Sequence, residues 1–202
     1  MTDFPDLDLP LSTKRLQLRV HTLADADALH RIYSQDDVAR YLLDDPWSPE
    51  DASRHVQERI TKTGLSTEPG TLALVIEHDG DAIGDVLLWL TDREHRIAEI
   101  GWVLDPDHSG RGFAAEAVGE ALRLAFDHYR LHRVAAQMDA RNTASARLAV
   151  RAGMQQEAHL RQDWWSKGEW TDTLIFAMLA SDRVSPPEQS PRGHASSRPA
   201  PA

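Results

Sequence analysis

Asp105-Pro-Asp-His-Ser-Gly-Arg-Gly112-Phe-Ala-Ala-Glu-Ala117 sits where one kind of hydrophobic pattern ends and another begins. Upstream, Ile97 to Leu104 reads as a strand; downstream, Ala115, Val118, Leu122 and Phe126 recur at helical spacing, which predicts a helix over 112–128. Glycines at 110 and 112 let the backbone approach a ligand closely, and the first N–H groups of a helix have no intrahelical partner. A pyrophosphate fits such a turn. Arg111 either adds a charge-assisted contact or points into water, and Glu116 either complements the helix dipole or orients Arg111. The same Gly-x-Gly also describes an ordinary turn. It is not a P-loop, because no Lys-Ser or Lys-Thr follows Gly112, and no third glycine completes a dinucleotide fingerprint.

Working outward, Lys14 to Val20 alternates apolar and charged residues as a half-buried strand does. Thr22 opens a helix to about Ser34, and Ser48-Pro49 opens another to about Lys62. Thr71 to His78, Asp81 to Leu90 and Ile97 to Leu104 form a three-strand antiparallel meander with a tight turn at Asp79-Gly80. His132 to Met138 is a strand that a crossover helix places parallel to 97–104, and Thr143 to Arg151 is a short helix. Strands near 154–162 and 171–179 close the chain. The expected fold is α/β (α+β): a single mixed, mostly antiparallel sheet of about seven strands, with a central parallel pair and helices on both faces.

The 202 residues fit one domain, expected over 12–180, after an N-terminal arm at 1–11. The stretch 181–202 holds five of the eleven prolines and no Leu, Ile, Phe or Trp, so it is expected to be a disordered tail. The chain has no cysteine, which excludes disulfides, zinc-thiolate sites and a thiol nucleophile. A formal net charge of −10 disfavours nucleic acid and anionic lipid and suits a cationic amine, although it also serves solubility. The N-terminus lacks the basic start of a signal peptide, and no run is long enough to span a membrane, so a cytoplasmic location is expected. His55, His95, His108, His128, His132 and His159 lack ligand spacing, and no metal is expected.

The turn resembles the signature loop of the GNAT superfamily of N-acetyltransferases, which runs Gln/Arg-x-x-Gly-x-Gly/Ala from a strand into a helix. The matching positions are Ser109, Gly112 and Ala114, with Ser109 departing from the usual Gln or Arg. Asn142-x-x-Ser145-x-x-Leu148 followed by Gly153 is similar to the second motif of the Rim-type members, which acetylate ribosomal-protein N-termini. Gly153-x-x-x-Glu157-x-x-x-Arg161 and Gly168-x-x-x-Asp172-x-x-x-Phe176 resemble their last two strands, and Ala98-Glu-Ile-Gly-Trp102 fits as well. This resemblance covers about 12–180. It implies a splayed parallel pair holding acetyl-coenzyme A as co-substrate, with the pantetheine arm on backbone groups of Trp102, Val103 and Leu104. It also implies pyrophosphate on Ser109, Gly110, Arg111, Gly112, Phe113, Ala114 and Ala115, with Asn142 binding pantetheine or ordering its loop.

Acetyl transfer needs a base for the ammonium, a donor for the oxyanion and an acid for the thiolate. Glu99 lies on one strand face with Ile97, Gly101 and Val103 and is the candidate base; otherwise it is a rim carboxylate paired with an arginine. The oxyanion donor is expected near Val103. Family members often place a tyrosine acid where this chain has Ala149; Ser145 resembles the serine that Rim-type members carry and is the candidate acid, donating directly or holding a water, or else it is a capping or core hydroxyl. Trp164, Trp165 and Trp170 are expected between the last strands, lining the acceptor channel or packing the core. The expected function is acetyl transfer to a protein N-terminal α-amine or a small-molecule amine; the competing one is a coenzyme A-binding module without turnover.

Overall fold

The computed structural model describes residues 4–183. Among the described residues nine strands form one sheet: β1 (Leu11–Ser12), β2 (Gln17–Val20), β3 (Thr63–Gly64), β4 (Thr71–His78), β5 (Asp81–Asp92), β6 (Ile97–Leu104), β7 (Arg133–Asp139), β8 (Gln155–Ser166) and β9 (Glu169–Leu179). Their order is β1-β2-β4-β5-β6-β7-β9-β8, with β3 also on β4. Apart from the two-residue strands β1 and β3, these are the seven expected. Only the β6–β7 pair is parallel among the described strands.

Strand alternation sends alternate side chains to two cores. On one face α4 (Phe113–Arg123) sets Phe113, Ala117, Val118 and Leu122 against Leu74, Val86, Leu88, Ala98 and Ile100. It continues into a wide π turn over Leu124–His128, where an unbroken helix was expected. The other face carries α1 (Ala26–Tyr33) and α3 (Pro49–Ile60), which bury Leu29, Ile32, Tyr33, Trp47, Ala52 and Val56. The start of α3 is as the sequence indicates: Ser48 Oγ accepts from the Asp51 N–H, the Asp51 carboxylate accepts from the Ser48 N–H, and Pro49 occupies the first turn.

Three expectations change. The segment 1–11 is part of the domain from Phe4 onward, since Phe4 is buried and Leu7, Leu9 and Leu11 pack on the main core. A short helix, α2 (Asp36–Ala39), was not foreseen, being a single turn. The last hairpin turns at Lys167 (φ 50) and Gly168 (φ 84), which carries β8 and β9 through the tryptophans. Trp164, Trp165 and Trp170 therefore stand within strands, 51, 58 and 57 % exposed, and pack no core. The expected tail lies outside the described residues from 184 on.

One glycine binds the sheet together near the end of β6. A Cβ on Gly84 would lie 2.2 Å from the Val103 carbonyl oxygen, a backbone atom that cannot step aside. Gly84→Ala is expected to lower stability by about 1–3 kcal/mol, read as a lower urea midpoint; an unchanged midpoint would mean that β5 and β6 are not this close.

Candidate active site

β6 and β7 pair only at Ile97↔Arg133, Ala98↔Val134 and Glu99↔Ala135. Beyond that point each strand keeps its outer neighbour: β6 stays with β5 as far as Gly84↔Leu104, and β7 stays with β9 as far as Asp139↔Thr173. The sheet is split from Ile100 on. The Asp105 N–H donates to the Ile83 carbonyl at 2.8 Å, and the His132 N–H donates to the Arg96 carbonyl at 2.9 Å on the opposite side of the strand. Ladder alternation between these two anchors turns the backbone groups of Ile100, Trp102 and Leu104 into the split. Those of Val103 face β5, so Val103 offers its side chain to the site and not the N–H expected of it.

The turn after β6 leads straight from the split to α4. The Ser109 N–H is used on Pro106, but none of the N–H groups from Gly110 to Ala115 donates to a backbone carbonyl among the described residues. Gly110 (φ 73) and Gly112 (φ 83) are left-handed, the conformation glycine adopts without strain. Arg15 props the turn from below: its Nη1 donates to the Arg111 carbonyl at 2.8 Å and its Nε to Glu116 Oε2 at 2.8 Å. Glu116 also accepts from Thr13 Oγ1 at 2.7 Å, so it holds Arg15 and not Arg111. Burial would raise the Glu116 carboxyl, but the bonds from Thr13 and Arg15 outweigh it and hold the group below the usual carboxylate range. Arg15 and Arg111 both lie over the Phe113 ring, at 4.6 and 4.7 Å, which sets two cations beside the free N–H groups.

Glu99 marks the split itself, half-buried, and accepts from Gln137 Nε2 at 3.0 Å. Its partner is a neutral amide, not the arginine of a rim ion pair. Across the split, α5 (Thr143–Arg151) begins with Asn142 as its cap, Oδ1 accepting from the Ser145 N–H at 3.0 Å. That frees the Ser145 hydroxyl to accept from the Trp102 indole Nε1 at 3.2 Å. Ala149 is fully buried, so its position presents nothing to the site.

On the α1/α3 side the split opens into a cleft of about 300 Å³ that Trp102, Val103, Asn142 and Ser145 help to line. A buried ionic group closes one end. Tyr33 OH donates to Asp85 Oδ1 at 2.6 Å, the Arg59 guanidinium bonds the other carboxylate oxygen, and Arg59 lies over the Tyr33 and Trp47 rings at 5.1 Å each. His21 Nε2 stands 3.9 Å from Asp85, and neither of its ring nitrogens has a hydrogen-bond partner among the described residues. Sequence reasoning missed this group, although Asp85 inside the apolar run Ile83 to Leu88 was a visible signal. It missed Arg15 as well, which lies about a hundred positions from the turn it supports.

A sheet split at a parallel pair, with a turn of unbonded N–H groups following the split strand, defines an acetyltransferase frame of the GNAT type. Residues 15–155 match the model of the acetyltransferase (GNAT) domain, and the chain belongs to that family of N-acetyltransferases. The uncharacterised N-acetyltransferase p20 of Bacillus licheniformis is 31 % identical over 169 residues, 84 % of this chain and 95 % of that protein. A GNAT-family acetyltransferase from Bacillus anthracis superposes with a TM-score of 0.77 at 26 % identity, covering 86 % of this chain and 99 % of that one. RimL, the ribosomal L7/L12 alpha-N-protein acetyltransferase solved with coenzyme A, has a TM-score of 0.75 at 20 % identity over 85 % of this chain and 98 % of its own, a likeness of fold. No described helix is long and apolar enough to cross a membrane.

Burial depresses the His21 imidazole from 6.5 to about 4, against the pull of Asp85. The folded protein keeps this ring neutral where the unfolded chain protonates it, so stability falls as pH drops from about 6.5 toward 4 and is unaffected by His21 above that window. Wild type is expected to lose on the order of 3 kcal/mol through this group on that descent, and His21→Gln correspondingly less in urea melts at pH 7 and 4.5. Equal losses would place the titration elsewhere.

Proposed function

We propose that the chain moves the acetyl group of acetyl-coenzyme A to a primary amine, by direct attack of the amine on the thioester. The observation that carries this reading is the split beyond Glu99 and Ala135, continuous with the turn at 110–115. Unpaired strand groups inside a sheet are costly, and the amide-bearing pantetheine arm relieves that cost by taking a strand's place. The free N–H groups of Gly110 to Ala115, flanked by Arg15 and Arg111, suit a pyrophosphate, with Ser109 offering its hydroxyl.

Acetyl-coenzyme A supplies an activated acyl group; the rest falls to this chain. The Glu99 carboxylate takes a proton from the acceptor ammonium, directly or through a water, and Gln137 keeps that carboxylate turned to the split. One of the N–H groups of Ile100, Trp102 and Leu104 serves the thioester oxygen as it gains charge, the role first assigned to Val103, and the others serve the pantetheine arm. Ser145 Oγ, held by the Trp102 indole, passes a proton to the sulfur and takes up the second proton that the nitrogen sheds as the amide forms, so it ends protonated. The N–C bond forms, the C–S bond breaks, and the products are an acetamide and the free thiol. The acceptor is a small-molecule amine or a polypeptide N-terminus.

Acetyl-coenzyme A is expected to raise the melting temperature, as any ligand of the native state does. Gly110→Asp suits this test, because a Cβ at Gly110 meets no atom within 4 Å and aspartate tolerates the left-handed region. The added carboxylate is expected to abolish the shift, and a shift of wild-type size would put the cofactor elsewhere. Glu99→Gln is expected to lower kcat by about 10²–10⁴-fold with the thermal shift intact; an undiminished kcat removes Glu99 from the chemistry.

A further inference from the structure

Resting on the acetyl-transfer reading, the cleft also says which amines fit. Its walls are rings and branched chains: Tyr41, Trp47, Trp89 and Trp102, with Leu42 and Leu87. Leu43, at the lip, is 76 % exposed, an apolar side chain left facing whatever enters. Ligand pockets run from roughly 300 to 1,000 Å³, so a cleft of about 300 Å³ that also receives the thioester end has room for a group the size of one amino acid.

Charge narrows the choice further. An acceptor with several ammonium groups needs several carboxylates or carbonyls to receive them once water is expelled. Of the two carboxylates that line the cleft, Asp85 is fully buried and committed to Arg59 and Tyr33, and Asp44 stands exposed at the mouth. The Asp85 carboxylate is already neutralised by the Arg59 guanidinium, so this pair has no negative charge left to receive a second ammonium. With Asp44 in solvent and Asp85 neutralised, Glu99 at the split is the half-buried carboxylate left to receive an ammonium.

We infer that the acceptor is a primary amine with a single positive charge on an aromatic or branched apolar body of amino-acid size, and that pairing of Asp85 with Arg59 denies polycationic amines a second anchor. The same chemistry is offered by a free arylalkyl amine and by the first residue of a polypeptide with such a side chain.

The test is steady-state coenzyme A release by the full chain with 2-phenylethylamine, a hexapeptide beginning with Phe, spermidine and an aminoglycoside. At least one of the first two is expected to exceed both polycations by about tenfold or more in kcat/KM, and which of the two leads identifies the source. Arg59→Leu leaves Asp85 uncompensated and is expected to raise spermidine turnover. Because that variant also strains the fold, Leu43→Glu provides a second arm on an exposed position, expected to lower kcat/KM for the apolar amine several-fold and raise it for spermidine. Wild-type preference for spermidine or the aminoglycoside overturns the inference and leaves acetyl transfer standing. Coenzyme A release with none of the four, beside an intact thermal shift by acetyl-coenzyme A, overturns both.

Discussion

The parallel ladder between β6 and β7 stops after Glu99 and Ala135, and the organisation of the site follows from where it stops. A parallel pair in mid-sheet is normally the most protected part of a sheet. Here each strand is held by its outer neighbour for several residues longer than by its inner one, so the two diverge without either being lost. The backbone groups of Ile100, Trp102 and Leu104 are thereby left facing the split without a strand partner, which costs the fold free energy.

What surrounds the split keeps it open and charged in the right places. Arg15 and Glu116 tie the turn after β6 to the N-terminal segment, so the free N–H groups of 110–115 are held by ion pairing from behind and stay available in front. At the other end, Asp85, Arg59 and Tyr33 join β5 to α3 and α1 through a buried, mutually neutralised ionic group. The first group leaves unbonded N–H groups beside two cations, the second a neutralised ion pair.

Much of the frame could be read from local pattern. β4, β6 and α5 fall where alternation, helical spacing and capping residues put them, at 71–78, 97–104 and 143–151. The turn at 105–117 was legible because glycine at a strand–helix junction constrains geometry whatever the rest of the chain does. Contacts between distant segments were not legible, since nothing in periodicity tells Arg15 that it meets Arg111, or Arg59 that it meets Asp85. The hairpin tryptophans were misplaced for a related reason: Ser166-Lys-Gly-Glu169 lacks the Asn-Gly or Asp-Gly mark of a two-residue turn, so the strands looked shorter than they are. Val103 shows the limit of resemblance, which gives a strand but not the parity of its hydrogen bonds.

Amide hydrogen exchange, resolved by residue with and without acetyl-coenzyme A, tests the split most directly. The account predicts that the ligand slows exchange at Ile100, Trp102 and Leu104 together with Gly110 to Ala115, and leaves Val103, already bonded to β5, little changed. Unaltered exchange at those amides, with new protection instead around the open hollow lined by Arg123, Arg130 and Arg183, would contradict it.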